Sequence, residues 1–315
     1  MSKEEPFFFF LPSLFTKGLI KDDRNDYSLV TYPRNVISDA TRIIVKDFST
    51  RINQLDTSSK KRIKTISEYL AVALSLPTKD ISLMNTAEMI YNNWLNNLSM
   101  FGSDELQNRF LRQIFKHLSL PFAFLQPSEK EVSNGTFCSF LIRIVSDYKA
   151  SHVRSGKIFE KETWITLLNV VIGITDEIFE FDLDKKFSKS DSSKLRQKLV
   201  DLCFSIIQLS GLSDTDIWTN FKTYCLKWNH NLDFVKIWGH YLISLFSNLN
   251  MIAYKRKSSL LSGGIYSTDN PISDKMVKFL FFNILSLIDV KIILGDVFLM
   301  NKFAQIMSEL VLKSE

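Results

Sequence analysis

Apolar residues return along this chain at intervals of three and four, the spacing that lines one face of an α-helix, and they do so over nearly its whole length. Val36, Ile37, Ala40, Ile43, Ile44 and Phe48 make a first stripe, opened by Pro33 in the first-turn place where a missing N–H costs nothing. Ile63, Ile66, Leu70, Ala73 and Leu74 make a second, closed by Pro77. A third runs through Ile81, Met84, Ile90, Trp94, Leu98 and Phe101 to a natural stop at Gly102. Ser103 opens a fourth, with Asp104 and Glu105 in its first turn where carboxylates suit the helix dipole; Leu106, Phe110, Ile114 and Leu118 carry it to Pro121. Ser128 and Glu131 have capping-box spacing, soon interrupted by Asn134-Gly135. Further stripes follow: Phe137, Phe140, Leu141, Ile144 and Tyr148; then Trp164, Leu167, Leu168, Val171 and Ile178; then Leu195, Leu199, Leu202, Ile206 and Leu209, ended by Gly211. Ser213 and Asp214 begin a helix with Ile217, Phe221 and Trp228, and another carries Phe234, Trp238, Tyr241, Leu242, Leu245, Leu249 and Ile252. Two last helices are expected near 273–288 and 291–312.

That is about eleven helices with short connections, and only 10 glycines and 7 prolines punctuate 315 residues. No repeat of fixed period shows in the letters. The pattern predicts an all-α fold, an irregular HEAT-like α-solenoid, with a two-lobed all-α globule as the alternative. Residues 27–184 read as a first helical lobe, 185–194 as a Ser/Lys-rich linker, and 195–315 as a second lobe with a mobile loop at 258–271. Residues 1–26 read as a flexible arm. Its apolar run Phe7 to Phe10, Leu11, Pro12 and Phe15 follows an acidic start, lacks a small-residue cleavage site and is too short to span a bilayer, so its aromatics are expected to dock on the body.

Composition narrows the chemistry. Hydrophobic residues at 45% and charged residues at 23% describe an ordinary folded protein. The net charge of +5 arises from 39 basic and 34 acidic residues spread along the chain, which is no nucleic-acid footprint. Cys138, Cys203 and Cys225 lie far apart inside apolar patterns, as reduced, buried thiols of the cytosol or nucleus would, and a cytoplasmic location is expected. No window offers ~18 uncharged apolar residues, so no stable membrane insertion is expected.

The four histidines, His117, His152, His230 and His240, form no His-Glu-x-x-His motif, and Cys225 with His230 and His240 is the nearest approach to a metal set, read as core and rim residues. Ser262-Gly263-Gly264 lacks the lysine of a phosphate loop, and Ser155-Gly156-Lys157 is a turn between helices. No Gly-x-Ser-x-Gly elbow exists. Glu180, Asp182 and Asp184 beside Lys185 and Lys186 make a solvated, charge-balanced loop. No catalytic residue, metal or cofactor is expected. The runs Lys60-Lys61-Arg62 and Lys255-Arg256-Lys257 read first as solvated helix ends, and second as import signals or anionic-lipid contacts; Ser258 and Ser259 beside the second run are candidate phosphorylation sites.

Trp218, Trp228 and Trp238 recur at intervals of ten, which turns a helix through about 280°. Two helices broken at Asn229-His230-Asn231 bring them together where one helix does not. They either fill a helix–helix junction or form a partner-binding ridge, since tryptophan is a common hot spot.

At this junction, in Trp218-x9-Trp228-x-His230-x7-Trp238, the chain resembles the N-terminal helical region of the beta, non-catalytic subunit of the Ral GTPase-activating protein complex, a relative of tuberin. Further pieces keep the same order: Tyr32-Pro33-x2-Val36, Ala73-x-Ser75-Leu76-Pro77, Asn93-Trp94-Leu95, Ile114-x-Lys116-His117-Leu118 and Glu162-Thr163-Trp164-x2-Leu167-Leu168, so that the likeness runs over 27–312. The resemblance implies a scaffold that pairs with a RalGAP-alpha-like catalytic subunit, whose GAP domain acts on a Ral-like small GTPase by positioning the attacking water. No such GAP domain is found in these 315 residues, so the chain is expected to be a truncated relative, a fragment or a stand-alone adaptor. Trp94, Trp164, Trp218, Trp228, His230 and Trp238 are the expected family-marking core or partner ridge. A generic HEAT-like adaptor unconnected with GTPases, and a helical enzyme with an unfamiliar site, are the competing readings.

Overall fold

A computed structural model of the chain describes residues 10–21, 27–50, 60–76, 80–125, 134–253 and 274–287, with 301, 304, 305 and 308 in isolation. Among these residues the regular elements are eleven α-helices and short 3-10 turns, without a strand. The helices are α1 (Pro12–Thr16), α2 (Arg34–Thr50), α3 (Lys60–Leu74), α4 (Ile81–Asn96), α5 (Asp104–His117), α6 (Asn134–Ser155), α7 (Lys161–Glu180), α8 (Lys189–Ser210), α9 (Thr215–Trp228), α10 (Leu232–Ala253) and α11 (Asp274–Leu285). The all-α helical stack expected from the periodicity is thus what the chain forms. The capping pair Ser128/Glu131, the expected loop at 258–271 with Ser258 and Ser259, and the basic run at 255–257 lie outside the described residues, as does nearly all of the expected helix at 291–312.

Where sequence punctuation is strong, helix ends follow it. Asp104 and Glu105 occupy the first turn of α5, and Lys116 and His117 its last. Gly102 takes φ 88°, a left-handed conformation open to glycine and costly for a side chain, and so lets the chain turn sharply from the 3-10 turn at Leu98–Phe101 into α5. The Ser/Lys-rich stretch 185–194 starts at the last residue of a 3-10 turn, Leu183–Lys185, and from Lys189 forms the first turns of α8.

The chain divides into two compact units, Met1–Ile206 and Ile207–Glu315, and the division falls within α8. In the first unit α2 packs on α3 and α4, α3 on α4 and α5, α4 on α6, and α5 on α7. Ile63, Ile66, Leu70, Ala73 and Leu74 all bury, as does the α7 stripe Trp164, Leu167, Leu168, Val171 and Ile178. On α2 the burial is narrower than its stripe. Ile37, Thr41 and Val45, one turn apart, face inward, whereas Val36 is 53% and Ile43 72% exposed. The i, i+4 line is buried, Phe48 adds an edge-on contact with Trp94 of α4 at 6.5 Å, and Val36 and Ile43 are left exposed.

The N-terminal segment is anchored on α7 from Phe10 onward. Phe10 buries as its aromatic character suggested, but Phe15 stays exposed, and Leu11, Leu14, Leu19 and Ile20 supply the rest of the contact. Leu14 sits over Gly173, where an added Cβ would lie 2.0 Å from the Leu14 Cδ2 atom. The Leu11 N–H donates to Ser119 Oγ at 2.9 Å and the Asn169 side chain donates to the Leu19 carbonyl at 2.8 Å. Lys17 reaches Asp176 at 2.6 Å, Glu180 at 3.1 Å and Glu177 at 3.3 Å. Burial alone would lower the Lys17 pKa, but hydrogen bonds to Asp176 and Glu180 and the surrounding carboxylate charge outweigh it and hold the ammonium above its ordinary value.

Candidate functional site

The tryptophans that stand out in the sequence belong to the interior. Trp94, Trp164, Trp218, Trp228 and Trp238 are all buried, whereas His230, in the turn between α9 and α10, is exposed. In the second unit each ring of the spaced trio joins two elements. The Trp218 indole N–H donates to the Leu212 carbonyl at 2.9 Å, and its ring meets Phe279 of α11 edge-on at 5.5 Å. Trp238 on α10 donates to the Ile284 carbonyl of α11 at 2.8 Å, and Trp228 on α9 meets Phe234 of α10 edge-on at 6.3 Å. Large rings span the gaps between the three helices, and for Trp218 and Trp238 the polar edge also finds a carbonyl. Of the two readings open at the sequence level, junction filling is the one these positions satisfy.

In the first unit, Trp94 packs edge-on against Tyr91 and Phe101, and its buried indole nitrogen meets no acceptor. Trp164 leans on Phe159 and closes over Gly156, where a Cβ would stand 2.9 Å from the indole. The three cysteines are buried and form no disulfide. Burial pushes the thiols of Cys138 and Cys203 up to about 11 and about 12, so both stay protonated.

Two histidines to which spacing assigned no partner organise buried polar networks. The Tyr91 hydroxyl donates to the Ser67 carbonyl at 2.9 Å and lies 2.6 Å from His117 Nδ1, while His117 Nε2 lies 3.2 Å from the Tyr27 hydroxyl. Since Tyr91 has one proton and spends it on Ser67, Nδ1 carries the ring proton and donates to Tyr91, leaving Nε2 to accept from Tyr27. Desolvation, then the charge of Lys116, lowers the His117 pKa to about 3, so the ring is neutral at physiological pH. His152 Nδ1 donates to the Tyr148 carbonyl at 3.0 Å, and Nε2 accepts from Ser205 Oγ at 2.9 Å. The latter pair has the geometry of a nucleophile and its base, yet both residues are buried between α6 and α8. Asn108 completes the set. Its amide donates to the Asp104 and Ile158 carbonyls, and its oxygen accepts from the Glu160 N–H and the Thr163 hydroxyl, so every polar position is used. These groups fix helix against helix and leave no reactive atom facing a substrate. Among the described residues, no three His, Cys, Asp or Glu side chains are placed to hold a metal ion.

What opens to solvent is a cleft of about 400 Å³ on the first unit, bounded by α3, α5 and α7. Lys61 and Lys64 stand on its α3 side, and Arg109, Arg112 and Lys116 on its α5 side. Tyr27, Leu106, Phe110, Gln113 and Thr166 also line it, and among the described lining residues there is no carboxylate. Arg112 is held by Thr163 at 3.1 Å and Glu160 at 3.3 Å, with Glu162 at 3.9 Å. Lys61 comes from a basic run visible in the sequence, but the α5 cations lie some fifty positions further on, and only the packing of α3 on α5 brings the two groups together.

The described residues include no helix long and apolar enough to cross a membrane. Residues 136–256 match the family model of the RALGAPB N-terminal domain, a narrower span than the 27–312 over which the short motifs run. No curated protein and no solved structure matches the chain. The matched span covers nearly all of α6 through α10, including Trp164, Trp218, Trp228 and Trp238, and is similar to an N-terminal region of a RalGAP beta-like protein.

Proposed function

We propose that this chain is a non-catalytic, cytoplasmic scaffold subunit of a small-GTPase-activating complex, acting through a separate catalytic subunit of RalGAP-alpha type on a Ral-like GTPase. The observation that carries the reading is the match of residues 136–256 to the RALGAPB N-terminal domain. The interior supports it. The histidines His117 and His152 and the thiols of Cys138 and Cys203 are buried and engaged or protonated, so the chain's strongest candidate bases and nucleophiles serve cohesion between helices. Such a subunit contributes surface and rigidity, and its partner contributes the group that orients water on the nucleotide.

The test is co-purification followed by a turnover assay. The tagged chain retains a protein with a GAP domain, and hydrolysis of Ral-bound GTP accelerates only when both are present. Acceleration by the pure chain refutes the non-catalytic assignment, and retention of assorted short peptides without any GAP-domain protein moves the chain to the class of general helical adaptors.

A further inference from the structure

Among the described residues that line the cleft on the first unit, the charges are of one sign and come from two walls. Lys61 and Lys64 on α3 face Arg109 and Lys116 on α5, with Arg112 beside them, and none of the described lining residues is a carboxylate. Arg109, Arg112 and Lys116 follow one another at steps of three and four, which stacks them along one face of α5. Like charges so placed repel by roughly 0.2–0.5 kcal/mol a pair in an isolated helix, and Glu160 and Glu162 offset part of that repulsion around Arg112. The floor is apolar, formed by Leu106 and the buried ring of Phe110, which stacks on Phe101 at 4.6 Å. A low-dielectric floor under converging cations focuses the field into the space above it.

We infer that this cleft binds a compact polyphosphate, such as a free inositol polyphosphate or the headgroup of a phosphoinositide. The chemistry is that of several phosphates gathered on one small ring. Cations approach from both walls at once, which suits a polyanion that fills about 400 Å³ better than an extended acidic peptide. Arg109 and Lys61 stand exposed at the two walls and make the first contacts. Gln113 and Thr166 add neutral hydrogen-bonding groups, and Arg112 exchanges part of its contact with Glu160 for the ligand. The inference is independent of the scaffold assignment, because the cleft, apart from Thr166, precedes the span matched by the family model.

The experiment uses the full chain and calorimetric titration with inositol hexakisphosphate, beside sedimentation with phosphatidylcholine vesicles with and without phosphatidylinositol 4,5-bisphosphate. Binding is expected in one arm or both: the soluble arm alone assigns a free polyphosphate, and retention on the phosphoinositide vesicles assigns a headgroup. Affinity falls at least about tenfold in the double variant Lys61→Gln/Arg109→Gln, whose melting temperature does not fall below the parent's, which shows that the fold is kept. It stays within about twofold in Lys189→Gln, which removes an exposed charge from the start of α8. No binding in either arm, equal losses in the two variants, or tighter binding of a poly-glutamate peptide than of inositol hexakisphosphate overturns the inference.

Discussion

The cleft of the first unit and the tryptophan junction of the second place their free energy oppositely. In the junction, Trp218, Trp228 and Trp238 are buried, and the indole N–H groups of Trp218 and Trp238 end on backbone carbonyls. Around the cleft, Lys61 and Arg109 stay in water and the cations around them repel one another. One arrangement is cohesive and gains little from a partner. The other is mildly costly alone and gains from an anion. The difference teaches that substitutions should separate cleanly: changes at the junction unfold, and changes at the cleft leave the fold alone.

The sharpest way to break that contrast is Trp238→Ala. Removing a fully buried indole leaves a cavity between α10 and α11 and orphans the Ile284 carbonyl, so a loss of about 3–5 kcal/mol is expected in chemical denaturation. Trp238→Phe keeps most of the ring and loses the N–H, and should cost about 1–3 kcal/mol. If both variants melt with the parent, the trio is not holding the second unit together.

Acidity tests the polar layer beneath the cleft instead. His117 titrates at 6.5 when unfolded and is lowered to about 3 by burial, and His152 is lowered to about 4. Because the unfolded chain binds the proton and the folded chain resists it, stability is fully present above pH 6.5 and is lost as pH falls towards those values. The loss is on the order of 1.4 kcal/mol per pH unit for each ring that stays neutral. Asp147 on α6 gives the opposite limb. Burial, then the charge and hydrogen bond of Glu88, push its carboxyl up to about 8, so the folded state keeps a proton that the unfolded one releases near 3.8, and stability declines as pH rises through that window. The windows overlap between 3.8 and 6.5, where two histidine slopes outweigh one carboxyl slope, so denaturant melts across pH should peak near 6.5. Asp147→Asn should flatten the decline above that maximum and steepen the rise below it.

Smaller again is the effect at Gly173. Alanine there gains about 1 kcal/mol of helix propensity but drives a methyl into Leu14, with Leu19 Cδ1 3.1 Å away. Overpacking of that kind costs about 1–3 kcal/mol, so the net change in global stability is modest. The release of residues 10–21 from α7 is the larger local consequence. Limited trypsin digestion at Lys17 should accelerate while the rest of the digestion pattern is unchanged.

How far these features could be read beforehand depends on whether the deciding contact is local. The stripes of α3 and α7 and the stop at Gly102 follow from residues three and four apart, and these were legible. The half-covered stripe of α2 was not, because Val36 and Ile43 look like Ile37 until the positions of α3 and α4 are known. The tryptophan spacing drew attention to the second unit and favoured a junction over a ridge, but it could not name the contacts, since the acceptor for Trp238 lies 46 positions away. Tyr27, Ser67, Tyr91 and His117 carry no mutual spacing at all, and the Ser205–His152 pair spans 53 residues. The cleft belongs to this second kind. Lys60-Lys61-Arg62 read as a solvated helix end, and so it would be if α5 did not bring Arg109 and Lys116 to face it.

The smallest expected effect is therefore also the most discriminating. Arg109→Gln removes one exposed charge from the α5 face, breaks no hydrogen bond recorded for its side chain and opens no cavity, so global stability should move by less than about 0.5 kcal/mol. The sign should be favourable. Relief of repulsion from Arg112 and Lys116 raises the melting temperature slightly at low salt, and the gain should vanish once the ionic strength shortens the Debye length to about 3 Å near 1 M. A substitution that unfolds the first unit, or one whose effect ignores salt, would mean that Arg109 is part of the packing, and the division between a cohesive junction and a strained, anion-seeking cleft would no longer hold.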